Sequence, residues 1–348
     1  QFLMDKRFTL LATASLALAV SGCASVPAMG DPAVSVYATA ETTPVGTANE
    51  DAADDPAIWR NPTDPSKSLI VSTDKKGGLY VYNLMGEQVS FMEAPGLNNV
   101  DLVDMGEAGI LVLASDRRDR AAAHIQLAML DPSKGKLIAK DRVSVGPGEG
   151  YGICAGPITE AGALDVFSAP KEGVIYRTRL TFGPDGETAD TVTLATVPSQ
   201  PEGCVVDPRT GTLYVGEEAA GIWAIDTTTG TKKLVARTNT GMLVPDVEGL
   251  ALAAEGEDGG YLVASSQGDN AYAVYRLPEM TPLGRFRIAR GTVGSTEETD
   301  GIELDNRSFG PDYPQGLFIA QDGINPPHAQ NFKLVSWGSI LSALEAEK

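Results

Sequence analysis

The stretch EGLALAAEGEDGGYLVASSQ, residues 248–267, carries a pattern from which the architecture can be predicted. It opens with the polar residue Glu248 and the small residue Gly249, and apolar residues follow. A second apolar run, Tyr261–Ser265, ends in small residues and is followed by the polar residue Gln267. Short apolar runs separated by glycine-rich, polar residues predict β-strands joined by turns.

The same pattern occurs six times along the chain. In each copy the second apolar run begins about 15 positions after the opening, and glycine and a further strand with Tyr or Trp often follow. The openings lie 44, 52, 51, 46 and 52 residues apart, and the third copy matches least well. They are Asp55-Pro56-Ala57-Ile58, Asn99-Val100-Asp101-Leu102, Tyr151-Gly152-Ile153-Cys154, Glu202-Gly203-Cys204-Val205, Glu248-Gly249-Leu250-Ala251 and Asp300-Gly301-Ile302-Glu303.

A period near 50 residues, made of short strands and glycine-rich turns, is typical of propeller blades. A β-sandwich would not repeat in this way, and a solenoid would have shorter units. Helical patterning is almost absent before the tail around Ile340. The sequence therefore predicts an all-β fold, a six-bladed β-propeller, with residues 49–348 as a single domain.

Polar residues at equivalent positions of the repeat should form rings, because propeller blades are related by rotation about a central axis. The residues that open the repeats form a first ring, and those that follow the second apolar runs form a second ring. The first ring consists of Asp55, Asn99, Tyr151, Glu202, Glu248 and Asp300. The second ring consists of Lys75, Arg117, Lys171, Glu218, Gln267 and Asp322.

The charges of these rings are sorted around the axis. Bases occupy the second ring in the first three blades, and carboxylates, with Asp54, Asp246 and Glu217 nearby, dominate the other half. Carboxylates so close together cannot all stay ionised without a counterion. Oxygen-only ligands favour calcium over zinc. A metal beside fixed bases is suited to stabilising charge on a phosphate, so the pattern predicts calcium-assisted phosphoryl chemistry.

Composition and missing motifs narrow the function further. The formal net charge of −19 disfavours binding to nucleic acid or to anionic lipid. The chain lacks an Arg-His-Gly motif, a Cys-x5-Arg loop, a G-x-S-x-G elbow and a P-loop. His124 and His328 lie outside both rings and are interpreted as ordinary surface or loop residues. Attack by an activated water is therefore favoured over a covalent intermediate.

The N-terminus has the pattern of an export signal. Residues 1–22 contain Met4, a short basic region and an apolar run too brief to span a bilayer. The stretch VSGC, residues 20–23, resembles a lipoprotein signal box, which predicts lipidation of Cys23 and an exported outer-membrane lipoprotein, periplasmic or extracellular. A plain secretory signal is the alternative. Residues 23–48 are interpreted as a tether and N-terminal segment.

Two further cysteines, Cys154 and Cys204, lie within the repeat. They occupy different offsets in their strands, and side chains alternate between the two faces of a strand. A disulfide between them is therefore disfavoured, although an oxidising compartment would permit one. Metal binding by this pair is less favoured still, since no histidine is nearby.

Eleven stretches, taken in order and at blade spacing, resemble the β-propeller (alkaline) phytases. They are DAADDPAIW (51–59), DKKG (74–77), LNNVD (97–101), YG (151–152), KEG (171–173), EG (202–203), LYVGEE (213–218), PDVEGL (245–250), ASSQG (264–268), ETDGI (298–302) and AQDG (320–323). The resemblance extends from about Glu41 to about Trp337. It implies a six-bladed, calcium-binding phosphomonoesterase that hydrolyses calcium-complexed phytate to lower inositol phosphates by direct attack of a metal-bound water.

The resemblance also implies a role for individual residues. The residues that would contact phosphate are Lys75, Arg117, Lys171 and, as a catalytic group, Tyr151. Those that would hold active-site calcium and orient water are Glu202, Glu218, Asp246, Glu248, Gln267 and Asp300, of which Glu202, Asp246, Glu248 and Asp300 are counted as catalytic. Further calcium ligands would be Asp55, Asn99, the carbonyl of Val100, and Asp101. Glu41, Asp54 and Asn331 resemble a tighter structural calcium site that joins the N-terminal segment to the last blade.

One departure from the family concerns calcium. Gly294 stands where the family often has an aspartate, so one calcium ligand is missing or is supplied by Glu297 or Glu298. Two other functions are considered, a sugar-lactone-type propeller hydrolase and a non-catalytic, calcium-stabilised binding propeller. The first does not require the bases Lys75, Arg117 and Lys171, and in the second the acidic half would be structural. A closed propeller needs no partner to cover strand edges, so a monomer is expected.

Overall fold

The strands form because each blade is packed between two neighbours, so that both of its faces are buried. In the computed structural model, which describes residues 29–184 and 186–347, every residue of the strands Leu69–Asp74 and Ile110–Asp116 is buried. Side chains such as Val71, Val81 and Val112 fill the space between the first two blades. Full burial of one such side chain contributes about 1.5–3 kcal/mol.

The described residues form 25 strands in six sheets that are arranged as a ring. The N-terminal segment forms β1 (Val34–Tyr37) and β2 (Ala40–Glu41). Blades one to three consist of β3 (Ala53–Trp59), β4 (Leu69–Asp74), β5 (Gly78–Asn83), β6 (Gln88–Glu93), β7 (Leu97–Asp104), β8 (Ile110–Asp116), β9 (Ala122–Asp131), β10 (Lys136–Pro147), β11 (Gly152–Ile158), β12 (Ala163–Ala169), β13 (Val174–Gly183) and β14 (Gly186–Thr196).

The second half of the ring has the same organisation. Blades four to six consist of β15 (Pro201–Asp207), β16 (Thr212–Glu217), β17 (Gly221–Asp226), β18 (Lys232–Arg237), β19 (Val247–Glu255), β20 (Gly259–Ser266), β21 (Ala271–Leu277), β22 (Thr281–Ala289), β23 (Ile302–Asp305), β24 (Leu317–Asp322) and β25 (Asn331–Ser336). Within each blade, the strands that follow one another in the chain form an antiparallel meander. The first strands of successive blades contact one another around the axis, and β23 returns to β3. The predicted all-β fold and its six blades are confirmed.

The N-terminal segment closes the ring. Strand β1 pairs in parallel with β22, and β2 pairs antiparallel with β25, so the last blade combines three C-terminal strands with one N-terminal strand. Residues 34–37 and 40–41, which belong to the stretch interpreted as a tether and N-terminal segment, are thus the outer strands of blades five and six. These additions cover strand edges that would otherwise be open.

One α-helix, α1 (Trp337–Ala346), follows the last strand in the described part of the chain. The side chain of Ser336 caps it by accepting a hydrogen bond from the backbone N–H of Ser339. Its buried residues Trp337, Ile340 and Leu344 pack on the core of the last two blades. Within the described residues, no helix combines the length and apolar character needed to cross a bilayer.

The prediction about the cysteines is wrong. Cys154 of β11 and Cys204 of β15 form a disulfide with a Cα–Cα distance of 5.8 Å. These innermost strands belong to adjacent blades and pack side by side without hydrogen-bonded pairing. The alternation of side chains along one strand therefore does not determine which side chains of the neighbouring strand they contact. The register of β15 also shifts between Pro201 and Cys204. Residues 1–28, which include the predicted signal and Cys23, lie outside the described residues.

Candidate active site

The residues of the two predicted rings lie mainly at one end of the propeller. In an antiparallel pair, the start of the first strand and the end of the second lie at the same edge of the sheet. Ala53 of β3 is opposite Asp74 of β4, and Leu97 of β7 is opposite Asp116 of β8. Residues near the starts of the innermost strands and just after the second strands therefore surround one end of the central channel, which we call the mouth.

Three glutamates from blades four and five form an acidic cluster at the mouth. Glu202 lies on β15, Glu218 directly follows β16 and Glu248 lies on β19. One carboxylate oxygen from each lies within 4.8 Å of the others. Burial and the charge of Asp54 raise the pKa of Glu202. Burial and the charge of Glu202 raise the pKa of Glu218 to about 7 and the pKa of Glu248 well above its usual value.

The donor chemistry of the acidic cluster fits a metal cation. Among the described residues, Oε2 of Glu248 is buried and has no hydrogen-bond partner. A buried carboxylate oxygen without a partner costs free energy, which a cation would offset. Asp246 adds negative charge beside Glu218, and Gln267 donates a 2.8 Å hydrogen bond to Asp300 at the edge of the cluster. A set of oxygen donors alone suits a hard cation.

Lys75 links blades one and six at the mouth. Its Nζ lies 2.9 Å from Asp51 Oδ2, 3.2 Å from Asp54 Oδ1 and 3.3 Å from Asp300 Oδ2. Burial opposes the charged form of Lys75, but the charges of Asp54 and Asp300 outweigh it and raise the pKa of the amine. Lys75 therefore carries a fixed positive charge, and part of that charge is already balanced by carboxylates.

Arg117 and Lys171, which we call the basic pair, flank Tyr151 on the other side of the mouth. Lys171 Nζ lies 4.5 Å from the centre of the Tyr151 ring, and the guanidinium carbon of Arg117 lies 5.8 Å from it. Burial and the charge of Glu202 raise the pKa of Tyr151, which keeps its hydroxyl protonated as a hydrogen-bond donor. The basic pair places two positive charges beside this hydroxyl, an arrangement that is chemically suited to binding an anion, and we call it the anion-binding surface.

Glu149 is a residue of this surface that sequence reasoning missed. Its Oε1 lies 3.1 Å from Arg117 Nε and 3.6 Å from Lys171 Nζ. Glu149 is buried, and its backbone N–H donates to Glu172 Oε2. One carboxylate is therefore shared between both members of the basic pair. Its position two residues before the ring residue Tyr151 is the sequence signal that was available.

Asn98 connects the two sides of the mouth and was also missed. Its Oδ1 accepts a 2.6 Å hydrogen bond from Arg117 Nη1. Its Nδ2 donates to Glu202 Oε1 at 2.9 Å and to Asp54 Oδ2 at 3.2 Å. The side chain is fully buried. Asn98 thus fixes a base and two carboxylates relative to one another through one amide.

A cleft of about 340 Å³ extends from Arg117 over blades one and two. Its lining includes Lys76, Arg118 and Arg120 in addition to Lys75 and Arg117. Lys76 and the two arginines were not among the predicted site residues. Lys76 and Arg118 directly follow ring residues and Arg120 lies three positions after Arg117, so none of them occupies the one position per blade that defines a ring. The cleft extends the positive side of the mouth.

Four predicted calcium ligands lie deeper, in the central channel, where they surround a cavity of about 40 Å³. They are Asp55, Asn99, Val100 and Asp101, and Glu303, which was not predicted, lines the same cavity. Burial raises the pKa of Asp101 to about 6 and, with neighbouring carboxylates, raises the pKa of Asp55 and Glu303 well above their usual values. Their roles as metal ligands stay predictions.

The three residues predicted to form a structural calcium site do not share one location. Glu41 and Asn331 meet where β2 joins the last blade, with Asn331 Nδ2 3.3 Å from Glu41 Oε2. Asp54 instead lies at the mouth, where it contacts Lys75 and Asn98. The site between Glu41 and Asn331 contains the ammonium group of Lys333.

Comparisons with known proteins agree with this geometry. The chain matches the family described as Phytase over residues 6–348. It is 36% identical over 326 residues to the 3-phytase of Bacillus subtilis strain 168, a match that covers 89% of this chain and 85% of the Bacillus protein. A solved structure of the calcium-binding protein regucalcin from Agrobacterium tumefaciens strain C58 is similar with a TM-score of 0.54 and 14% identity, and covers 88% of this chain and 97% of that chain. At this identity the likeness concerns the fold alone.

The family match spans nearly the whole chain, and the relative is similar over most of its own length. The mouth combines an acidic cluster that could bind a metal with a basic surface suited to phosphate. A lactone hydrolase or a non-catalytic propeller would not require the basic pair. Neither alternative explains a match to the phytase family over nearly the whole chain. The chain therefore belongs to the phytase family, as a six-bladed propeller enzyme that acts on the small molecule phytate.

Proposed function

We propose that this phytase depends on calcium and that it releases phosphate from phytate, myo-inositol hexakisphosphate, by direct attack of water at the mouth. The observation that carries the proposal is the juxtaposition of the acidic cluster and the basic pair. Arg117 and Glu202 are both bound to Asn98, so the two sides lie within reach of one phosphate group. Oxygen donors and negative charge in the acidic cluster favour calcium as the cation.

Calcium held by Glu202, Glu218 and Glu248 would neutralise their charge, polarise the phosphate and lower the pKa of water. The side chains of this chain supply the rest. Arg117 and Lys171 hold phosphate oxygens and offset the charge that develops as the ester bond breaks. The protonated hydroxyl of Tyr151 donates to the same group. A carboxylate at the edge of the acidic cluster, such as that of Asp300, takes the proton of the attacking water, and the inositol oxygen that leaves takes a proton from solvent.

The direct test is phosphate release from phytate at neutral pH, with calcium and with excess chelator. We expect release in calcium and loss of release in chelator. Arg117→Ala should lower kcat and raise KM, with a fall in kcat/KM of about tenfold or more, because a donor to the phosphate is lost. Arg179→Ala is the matched control, since Arg179 pairs with Asp165 away from the mouth and is not expected to change either constant. Full activity in chelator would contradict the calcium mechanism.

We further propose that the protein is exported and anchored as a monomer to the outer membrane through lipidated Cys23. The VSGC stretch at residues 20–23 motivates this proposal. The Cys154–Cys204 disulfide supports export, because such bonds persist mainly in oxidising compartments. Mass spectrometry of the mature N-terminus from a membrane fraction should find a diacylated or triacylated cysteine. A soluble product cleaved elsewhere would contradict the anchor.

A further inference from the structure

A buried ammonium group lies at the junction that closes the ring. Lys333 is on β25, the strand that pairs with the N-terminal strand β2, and its side chain is fully buried. Glu41 is directly opposite Lys333 in this pairing, and Asp322 is opposite Asn331 in the neighbouring ladder. Three strands therefore direct polar groups to one point. We call Glu41, Asp322, Asn331 and Lys333 the closure group.

The ammonium of Lys333 is surrounded by oxygen atoms. Nζ lies 2.7 Å from Glu41 Oε2, 2.9 Å from Asp322 Oδ2 and 2.6 Å from Asn331 Oδ1. The Oδ1 atom of Asn325 accepts a fourth contact at 3.3 Å. An ammonium has three protons to donate, so these oxygens satisfy it completely. They are also the donor types that a calcium ion would use.

Gly294 faces the same point. A Cβ atom at this position would lie 3.3 Å from Lys333 Nζ and 3.7 Å from Glu41 Oε2. A carboxylate at residue 294 would therefore have joined the closure group. With glycine there, the group holds two carboxylates around a cation that is covalently part of the chain. The ammonium balances one of the two carboxylate charges, and a calcium ion would need the space that the ammonium occupies.

We propose that the ammonium of Lys333 is the cation that closes the ring, and that the closure group binds no calcium. The N-terminal strand is then held to the last blade by an internal ion network. Chelators reach other metal sites but leave this junction unchanged. The inference does not depend on the catalytic mechanism, because no member of the closure group is among the residues that would bind phosphate.

Glu41→Gln tests the proposal. Bound calcium per chain is counted by isothermal titration and metal analysis, and Tm is measured in calcium and in chelator. We expect an unchanged calcium count and a fall in Tm of about 5 °C in both conditions, because a buried cation loses one of its partners. Glu50→Gln is the matched control, since exposed Glu50 forms a long ion pair with Lys76 at 3.8 Å and should change neither quantity.

Two results would overturn the proposal. One is the loss of one bound calcium per chain in Glu41→Gln, and the other is a fall in Tm that occurs only in calcium. If this variant does not fold, Glu41→Asp keeps the charge and shortens the side chain. It should again show an unchanged calcium count and an equal fall in Tm with and without calcium, whereas weaker binding of one calcium would refute the assignment. Neither measurement requires active enzyme.

Discussion

Glu149 places a negative charge between the two bases that should bind phosphate. Its Oε1 contacts both Arg117 and Lys171, so a bound phosphate must compete with this carboxylate for the same cations. The carboxylate is buried and its backbone is hydrogen-bonded to Glu172, so it is held in place. We infer that Glu149 positions the bases and at the same time moderates their affinity for phosphate, which would favour release of the product.

Glu149→Gln should therefore strengthen inhibition by inorganic phosphate. The amide keeps the size of the side chain but removes one negative charge beside the basic pair, and we expect Ki to fall about threefold to tenfold. Asp165→Asn is the matched control, because it removes the same charge from a pair with Arg179 far from the mouth. Product-inhibition kinetics at constant ionic strength measure the effect. An equal Ki in the wild type and Glu149→Gln would show that the carboxylate does not compete.

Single residues were predictable where the repeat marked them. Tyr151, Glu202 and Glu248 occupy the same position in successive copies, so their convergence followed from rotational symmetry. Asn98 and Glu149 lie one and two residues before ring positions, where only some copies of the repeat carry a polar side chain, so the repeat marked these positions less clearly. Their importance arises from contacts across blades, which only the folded structure brings together.

At the scale of elements, the disulfide braces two blades that both contribute to the mouth. Cys154 is three residues after Tyr151, and Cys204 is two residues after Glu202. The bond closes a loop of 50 residues, for which chain entropy gives a stabilisation of about 4 kcal/mol. Cys154→Ser combined with Cys204→Ser should lower Tm by about 5 °C. Differential scanning calorimetry of the variant and of the reduced wild type should give equal decreases in Tm. An unchanged Tm in both would show that the disulfide does not stabilise these two blades.

Elements were predictable in proportion to their length and repetition. The inner strands of each blade have continuous apolar runs, as in Leu69–Asp74, and these were found from the sequence. Strand β2 has only two residues, Ala40 and Glu41, and lies in a stretch rich in Pro, Thr and Ala that has no strand pattern of its own. It forms because the edge of β25 offers backbone partners, a condition set 290 residues later in the chain.

For the whole molecule, the ring was predictable because one period covers nearly all of the chain after residue 49. The predicted separation of charge was correct in outline, with the acidic cluster on one side and the basic pair on the other. The sequence did not show that Lys75 is shared among three carboxylates, nor that acidic groups continue down the channel to Glu303. The depth of these acidic side chains in the channel depends on how far each strand extends into it. The spacing between the openings of the sequence repeats does not determine this.

The buried carboxylates that extend from the mouth down the central channel predict how pH and calcium together determine stability. The pKa of Glu218 is raised to about 7 and that of Asp101 to about 6, above their usual values of about 4. A raised pKa in the folded state means that the neutral acid favours folding below the usual pKa, and that this contribution is lost as pH rises through the folded-state pKa. In chelator, Tm should therefore fall between pH 5 and pH 8.

Calcium should reverse this loss, because it binds ionised carboxylates in the native arrangement and adds stability by linkage. At 100 times its Kd, one calcium ion would contribute about 2.7 kcal/mol. We expect the rise in Tm on adding calcium to be larger at pH 8 than at pH 5, since protons compete with the metal at Glu218 and Asp101. Calorimetry at both pH values, in calcium and in chelator, measures the four Tm values. A calcium-induced shift that is the same at pH 5 and pH 8 would show that these carboxylates do not hold the metal.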